Sequence, residues 1–310
     1  LSFMVSLEWE RANRSLRDMM KRSYRLSQAA GGPEGIEGIF ARIENLWVGK
    51  KEKEVHLDFF QARAPRATIV FQPGIGMYAR VYAVLGGLLS REGYHFLGID
   101  RPGHGLSPGK KGDCTVEEAM AVTGEVMEFA RKSFRLPVVL MGSSLGGILT
   151  FFAVLSGLAP ELAIAHNVIY PGWYSGFRAV GEIVSRFPAR MIPIKWMANF
   201  NHLTLDPVIM DWVTREIDPV IAWKVSGRFL ASLIQFWVKY PPEDPAPLAI
   251  VAGTRDRMIW PVWSRMAVRS AGLKKATLHL LPGAGHFLFH DHLDQAIPLL
   301  KKIIEENLFP

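Results

Sequence analysis

A serine hydroxyl attacks a carbonyl only when a base takes its proton and a third group orients that base. The stretch Gly142-Ser143-Ser144-Leu145-Gly146 sets Ser144 between small residues two positions away on either side. Residues 138–141 before it read as a buried strand, and residues 145–155 after it as a buried helix ending near Gly157. A strand that turns sharply into a helix strains its turn residue, lifts that side chain clear of the backbone and aims helix N–H groups at it. Ser144 is therefore the expected nucleophile. A second match, Gly105-Leu106-Ser107-Pro108-Gly109, fails because Pro108 has no N–H to give an oxyanion and no apolar helix follows. Ser143 sits one position too early for the same spacing.

Base and acid should follow parallel strands directly, because sites in such sheets form at the strands' carboxyl ends. Asp256 lies just beyond an apolar run at 248–252, and His286 just beyond one at 276–281. The chain order Ser144, Asp256, His286 suits a strand–turn–helix nucleophile. The oxyanion requires two backbone donors. Leu145 N–H is expected to be one, and the turn after the strand at 67–71 supplies the other, with Ile75 preferred over Gly74 or Gly76. His290 and His292 stand at a helix start, and Asp291 between them hints at a metal, but no further ligand stands at suitable spacing, and no cofactor is expected. Asp100 reads as a structural corner.

Strand and helix patterns alternate from Val55 to Tyr170, which implies right-handed crossovers and a mostly parallel, doubly wound α/β sheet. Thr115-Val116-Glu117-Glu118 forms a capping box for a helix reaching about Phe134. From Trp173 to Tyr240 the rhythm stops and no strand pattern is visible. Asp206-Pro207 and Asp218-Pro219 each place an Asp cap before a Pro at the first helical position, so a helix is expected at each. The expected division is an N-terminal amphipathic helix in 1–32, a core in 33–171 and 241–310, and a helical cap insertion in 172–240. The helix expected from Pro219 carries more apolar surface than one docking face needs, so Trp223, Phe229 and Trp237 are assigned to substrate binding.

At 310 residues, with 49% hydrophobic and 21% charged residues, the chain has ample core for one large domain. Cys114 is the only cysteine, which removes any intrachain disulfide, and with no secretory signal evident a cytoplasmic location is expected. The first residue is Leu1, so the true start is expected at Met4 or upstream. A net charge of +7 without a dense basic tract argues against nucleic acid as a partner. Residues 6–28 read as one helix with Trp9, Ala12, Leu16, Met19, Met20 and Tyr24 on one side and basic residues elsewhere. Docking on the core is the expectation, with peripheral membrane contact as the alternative. Residues 136–160 are uncharged throughout, but Pro137, Gly142, Gly146 and Gly147 divide them into strand, turn and helix.

Taken together, residues 82–112, 142–147, 253–256 and 283–286 resemble the α/β-hydrolases, and within them the capped monoacylglycerol lipase and lysophospholipase-like serine hydrolases. The resemblance spans about 55–307, apart from the cap. It implies hydrolysis of a carboxylic ester with a largely apolar, lipid-like acyl group through an acyl-enzyme. Lactone or C–C bond hydrolysis, acyl transfer and non-catalytic binding of a hydrophobic ligand are the alternatives. One departure stands out: the family usually has His-Gly at the oxyanion turn, where this chain has Pro73-Gly74.

Overall fold

The computed structural model describes residues 3–50, 53–169, 175–197, 199–236, 245–270, 273 and 276–310. The chain begins with three helices, α1 (Phe3–Arg22), α2 (Tyr24–Ala30) and α3 (Pro33–Phe40). The single helix expected over 6–28 is thus broken. Ser23 takes an extended conformation and caps α2, its hydroxyl accepting from Leu26 N–H at 3.2 Å. Ala12, Leu16, Met19 and Met20 are fully buried against the core, so α1 spends its apolar face inside the molecule; Tyr24, beyond the break, is 75% exposed.

After β1 (Glu44–Val48) come β2 (Val55–Phe60), β3 (Ala67–Gln72), α4 (Ala83–Arg91), β4 (Tyr94–Ile99), α5 (Val116–Phe134), β5 (Val138–Ser143), α6 (Leu145–Leu155) and β6 (Leu162–His166). Both halves of the capping box at Thr115 and Glu118 form at the start of α5. The inserted segment then contributes α7 (Ser175–Ser185), β7 (Met191–Pro193), α8 (Pro207–Thr214), β8 (Lys224–Ser226) and α9 (Gly227–Gln235). The chain returns through β9 (Leu248–Gly253), α10 (Pro261–Ser270), β10 (Ala276–Leu281), α11 (Leu288–Asp291) and α12 (Leu293–Leu308).

Eight strands form one sheet in the order β1-β2-β4-β3-β5-β6-β9-β10. The β1–β2 and β2–β4 pairs are antiparallel, and every other pair is parallel. β2, β3, β4, β5, β6 and β9 are buried at every position, as strands covered on both faces must be. On one face Ile69, Phe71 and Phe96 pack with the N-terminal helices, α4 and α12; on the other, Val70 and Leu140 pack with Val126 and Ala153 of α5 and α6. No helix among the described residues is long and apolar enough to cross a membrane. The uncharged run around Ser144 is sheet and core helix.

Two expectations for the inserted segment are corrected. It does contain strand, since β7 and β8 pair antiparallel. Asp206 caps α8 through Val208 and Ile209 N–H, but no helix follows Asp218, and α9 starts only at Gly227. The Asp218 carboxylate takes Val220 N–H at 2.7 Å and the Tyr78 hydroxyl at 2.8 Å, while Lys111 holds the Pro219 carbonyl. The N–H groups that would close a helical turn go elsewhere, Ala222 N–H to the Gly76 carbonyl at 2.9 Å and Trp223 N–H to the Ile221 carbonyl at 3.1 Å.

Candidate active site

Ser144 stands between β5 and α6 with φ 54° and ψ −116°, a strained left-handed position for a residue with a side chain. The flanking glycines explain themselves sterically. A Cβ on Gly142 would collide with the Gly146 carbonyl, and one on Gly146 with the Gln72 carbonyl of β3. The turn is fixed further by a 3.0 Å hydrogen bond from Ser144 N–H to the His166 carbonyl.

The structure brings Ser144, His286 and Asp256 together from three loops. Ser144 Oγ lies 3.0 Å from His286 Nε2, and His286 Nδ1 lies 2.9 Å from Asp256 Oδ2. The Asp256 carboxylate is buried, and its other oxygen accepts Met258 N–H at 2.8 Å and Ile259 N–H at 2.9 Å. Burial works to raise the Asp256 pKa, but the hydrogen bond and charge of His286, with the Ile259 N–H, outweigh it and hold the carboxyl below its ordinary value. The group is a carboxylate at neutral pH.

Neither the Ile75 N–H nor the Leu145 N–H has a hydrogen-bond partner among the described residues. The Gly74 N–H, by contrast, is taken by the Tyr82 hydroxyl at 3.2 Å. A Cβ on Gly74 would stand 3.6 Å from that of Ser144, so this turn passes close to the nucleophile. Buried Arg101 donates to the Pro73 and Gly74 carbonyls at 2.8 and 2.9 Å, and so braces the turn where Pro73-Gly74 replaces His-Gly. The signal for Arg101 in the sequence was only its place directly after a strand, beside Asp100.

Other candidates are occupied elsewhere. Ser107 Oγ donates to the Asp100 carbonyl at 2.5 Å and accepts His56 N–H at 2.8 Å. Asp100 takes Ala79 and Leu106 N–H and contacts His56, which makes it a loop anchor. His290 is bonded to the Val81 carbonyl, and Asp291 to Thr204 and Leu205. No group of three or more metal-ligating side chains is found among the described residues. Burial pushes the Cys114 thiol up to about 12, which leaves it a poor nucleophile.

A narrow cavity opens over Ser144 and His286, lined by Ile75, Met77, Ile194, Phe200, Ile221 and Trp223 among others. Only about 40 Å³ of it is free, room for a few waters. Trp223 lines this cavity, from a loop and not from the helix expected to start at Pro219. Phe229 does not line this cavity: it borders a smaller one behind Leu145, with Cys114 and Leu149. Trp237 lies outside the described residues.

Sequence reasoning missed a buried polar pair at the end of β6. Asn167 Nδ2 donates to Asp256 Oδ2 at 2.6 Å and lies 2.8 Å from His166 Nε2; His166 Nδ1 lies 3.1 Å from Ser143 Oγ. Two adjacent polar residues ending an apolar strand, on the side where sites form, were the available signal.

A sequence profile described as "Serine aminopeptidase, S33" matches residues 63–292. The chain is 24% identical over 249 residues to a monoacylglycerol lipase of Mycolicibacterium smegmatis, covering 73% of this chain and 83% of that one. Its fold is similar to a soluble variant of monoglyceride lipase from Saccharomyces cerevisiae, solved in complex with a substrate analog. The TM-score is 0.72 at 18% identity, covering 86% of this chain and 96% of the other. A monoacylglycerol lipase from Paleococcus ferrophilus gives a TM-score of 0.65 at 23% identity, over 82% and 99% of the two chains. With the profile spanning most of its length, the chain belongs to the serine aminopeptidase S33 family of α/β-hydrolases, related at a distance to monoacylglycerol lipases.

Proposed function

We propose that this protein hydrolyses carboxylic esters with an apolar acyl group. Ser144 Oγ attacks the ester carbonyl carbon while His286 Nε2 takes the hydroxyl proton, and Asp256 stabilises the imidazolium that forms. Ile75 and Leu145 N–H receive the oxyanion. Collapse of the tetrahedral intermediate breaks the bond to the alcohol oxygen, which leaves with the proton from His286. Water then gives its proton to His286 and its oxygen to the acyl carbon, which frees the acid and restores Ser144. We assign residues 172–240 the choice of substrate, since Ile194, Phe200, Ile221 and Trp223 of that segment face the nucleophile.

One observation carries the ester reading over the aminopeptidase activity in the family's name. Among the described residues, the cavity around Ser144 is lined mainly by apolar side chains and has no Asp or Glu in its wall. An aminopeptidase must hold a substrate ammonium, and a desolvated cation needs a carboxylate. The test is a panel of p-nitrophenyl esters of increasing acyl length, monoacylglycerols, lactones and aminoacyl p-nitroanilides. Turnover of the esters and monoacylglycerols, lost in Ser144→Ala, is the expected result. Preference for the anilides would overturn the reading.

A further inference from the structure

The pair at the end of β6 has no part in the reaction just described, yet it touches the acid of the site and the backbone of the nucleophile. We propose that Asn167 is a positioning residue that fixes the Asp256 carboxylate, with His166 setting the direction of its amide. The proposal rests on the reading of Ser144, His286 and Asp256 as a hydrolytic triad.

Asn167 is fully buried at φ 62°, a region that Asn enters more readily than other residues with a side chain. Its own N–H is bound to the Val251 carbonyl at 3.1 Å, and the preceding His166 carbonyl accepts the Ser144 N–H. The backbone that carries the amide is thus the one that pins the nucleophile's turn.

The amide has two hydrogens and two close takers, with His286 Nδ1 farther off at 3.5 Å. One goes to Asp256 Oδ2, the oxygen that also meets His286 Nδ1, and the other goes to His166 Nε2. Asn167 Oδ1 is buried with no partner among the described residues. The opposite amide orientation would set that oxygen against the carboxylate, so the observed one serves Asp256 and leaves Oδ1 bare.

His166 can accept at Nε2 only as the neutral tautomer with its proton on Nδ1, which then donates to Ser143 Oγ. The ring is enclosed by His286, Phe289 and Asp256, with His290 nearby, and burial keeps it uncharged. Beyond it, the Ser143 hydroxyl acts on the Tyr82 phenol, and Tyr82 accepts Gly74 N–H. A buried polar chain therefore runs from Asp256, behind Ser144, to the oxyanion turn.

Removing the Asn167 donor has two consequences at His286. The carboxylate loses a restraint on its rotation, and Oδ2 becomes more basic, so the imidazolium is favoured. The test uses Asn167→Gly, which keeps the backbone conformation, with His166→Gln and His166→Leu, all assayed on a short p-nitrophenyl ester beside wild type and Ser144→Ala. In Asn167→Gly, kcat should fall about 10–100-fold with KM nearly unchanged. The acid limb of its kcat/KM profile should move up by about half a pH unit or more.

His166→Gln, which can still accept from Asn167 and donate to Ser143, should retain most activity, and His166→Leu should follow Asn167→Gly. Rates are normalised to folded enzyme by fluorophosphonate titration, and melting curves accompany each variant. Asn167→Gly with wild-type kcat and an unmoved limb would overturn the proposal, as would equal losses in His166→Gln and His166→Leu. If Asn167→Gly does not fold, the two His166 variants decide. Absence of any Ser144-dependent ester turnover in the wild type would instead overturn the underlying reading.

Discussion

Arg101 and Gly74 are joined by a 2.9 Å hydrogen bond from a buried guanidinium to a backbone carbonyl. A trans peptide sets its C=O and N–H on opposite sides, so anchoring the Gly74 carbonyl points the Ile75 N–H away from Arg101. A second branch to the Pro73 carbonyl makes the grip two-pronged.

Lysine cannot reproduce that fork. Arg101→Lys is expected to lower kcat with little change in KM, by up to the ~3 kcal/mol that one oxyanion donor supplies. Steady-state kinetics on a short ester, with a melting curve to exclude unfolding, checks this. A loss confined to KM would separate Arg101 from the oxyanion turn.

A fluorophosphonate should label Ser144 alone, as read by peptide mapping, because Ser107 and Ser143 are hydrogen-bonded within the core. Ser144→Gly and Ser144→Ala should both be inactive yet differ in stability. Glycine adopts φ 54° freely, so Ser144→Gly should exceed Ser144→Ala by up to ~1 kcal/mol in denaturant unfolding.

Stability should fall on acidification well before the carboxylates titrate. Burial lowers His104 and His166 to about 3 and His290 to about 4, against an ordinary value of 6.5. Below about pH 6.5 the unfolded chain takes up protons that the folded one refuses. The stabilisation is therefore complete above that pH and is lost as pH falls, at up to ~1.4 kcal/mol per unit for each histidine. Buried Asp58, Asp218 and Asp291 are raised by desolvation and oppose this only nearer their own range. Urea unfolding between pH 7 and 5 should show the decline, and His290→Gln should flatten it.

Trp223 and Phe229 should separate cleanly. Trp223 faces Ser144, so Trp223→Ala should cost decanoyl esters more kcat/KM than acetyl esters, at up to ~0.8 kcal/mol per methylene left without contact. Phe229 packs behind Leu145 in the core, so Phe229→Ala should cost ~3–5 kcal/mol of stability without changing chain-length preference. Equal chain-length effects in both variants would mean the two cavities act as one.

What could be read from the sequence was whatever local sterics dictate. A strained turn needs small neighbours at fixed spacing, so Ser144 announced itself, and apolar runs before Asp256 and His286 located them. Interactions between distant segments left no local trace. Asp218 looks like a helix cap but is claimed by Tyr78, 140 residues earlier in the chain. Ser23 breaks the first helix while its hydroxyl donates to Asp206 at 2.6 Å. Asn167 and Arg101 act through carbonyls and carboxylates whose positions only the folded chain defines.

The ties of the inserted segment also have a mechanical consequence. Residues 203–206 are bolted to the core through Ser23 and Asp291, and residues 218–232 through Tyr78, Asp113 and Val116. Residues 179–197 pack mainly on β8 and α9, with Val180, Ile183, Phe187 and Trp196 facing outward. Within the cavity wall Ile194 is joined to its neighbour, its N–H donating to the Trp223 carbonyl at 3.0 Å. The wall over Ser144 is thus held in two ways: Ile221 and Trp223 stand on a stretch hydrogen-bonded to Tyr78 and Asp113 of the core, and Ile194 is hydrogen-bonded to that stretch through Trp223.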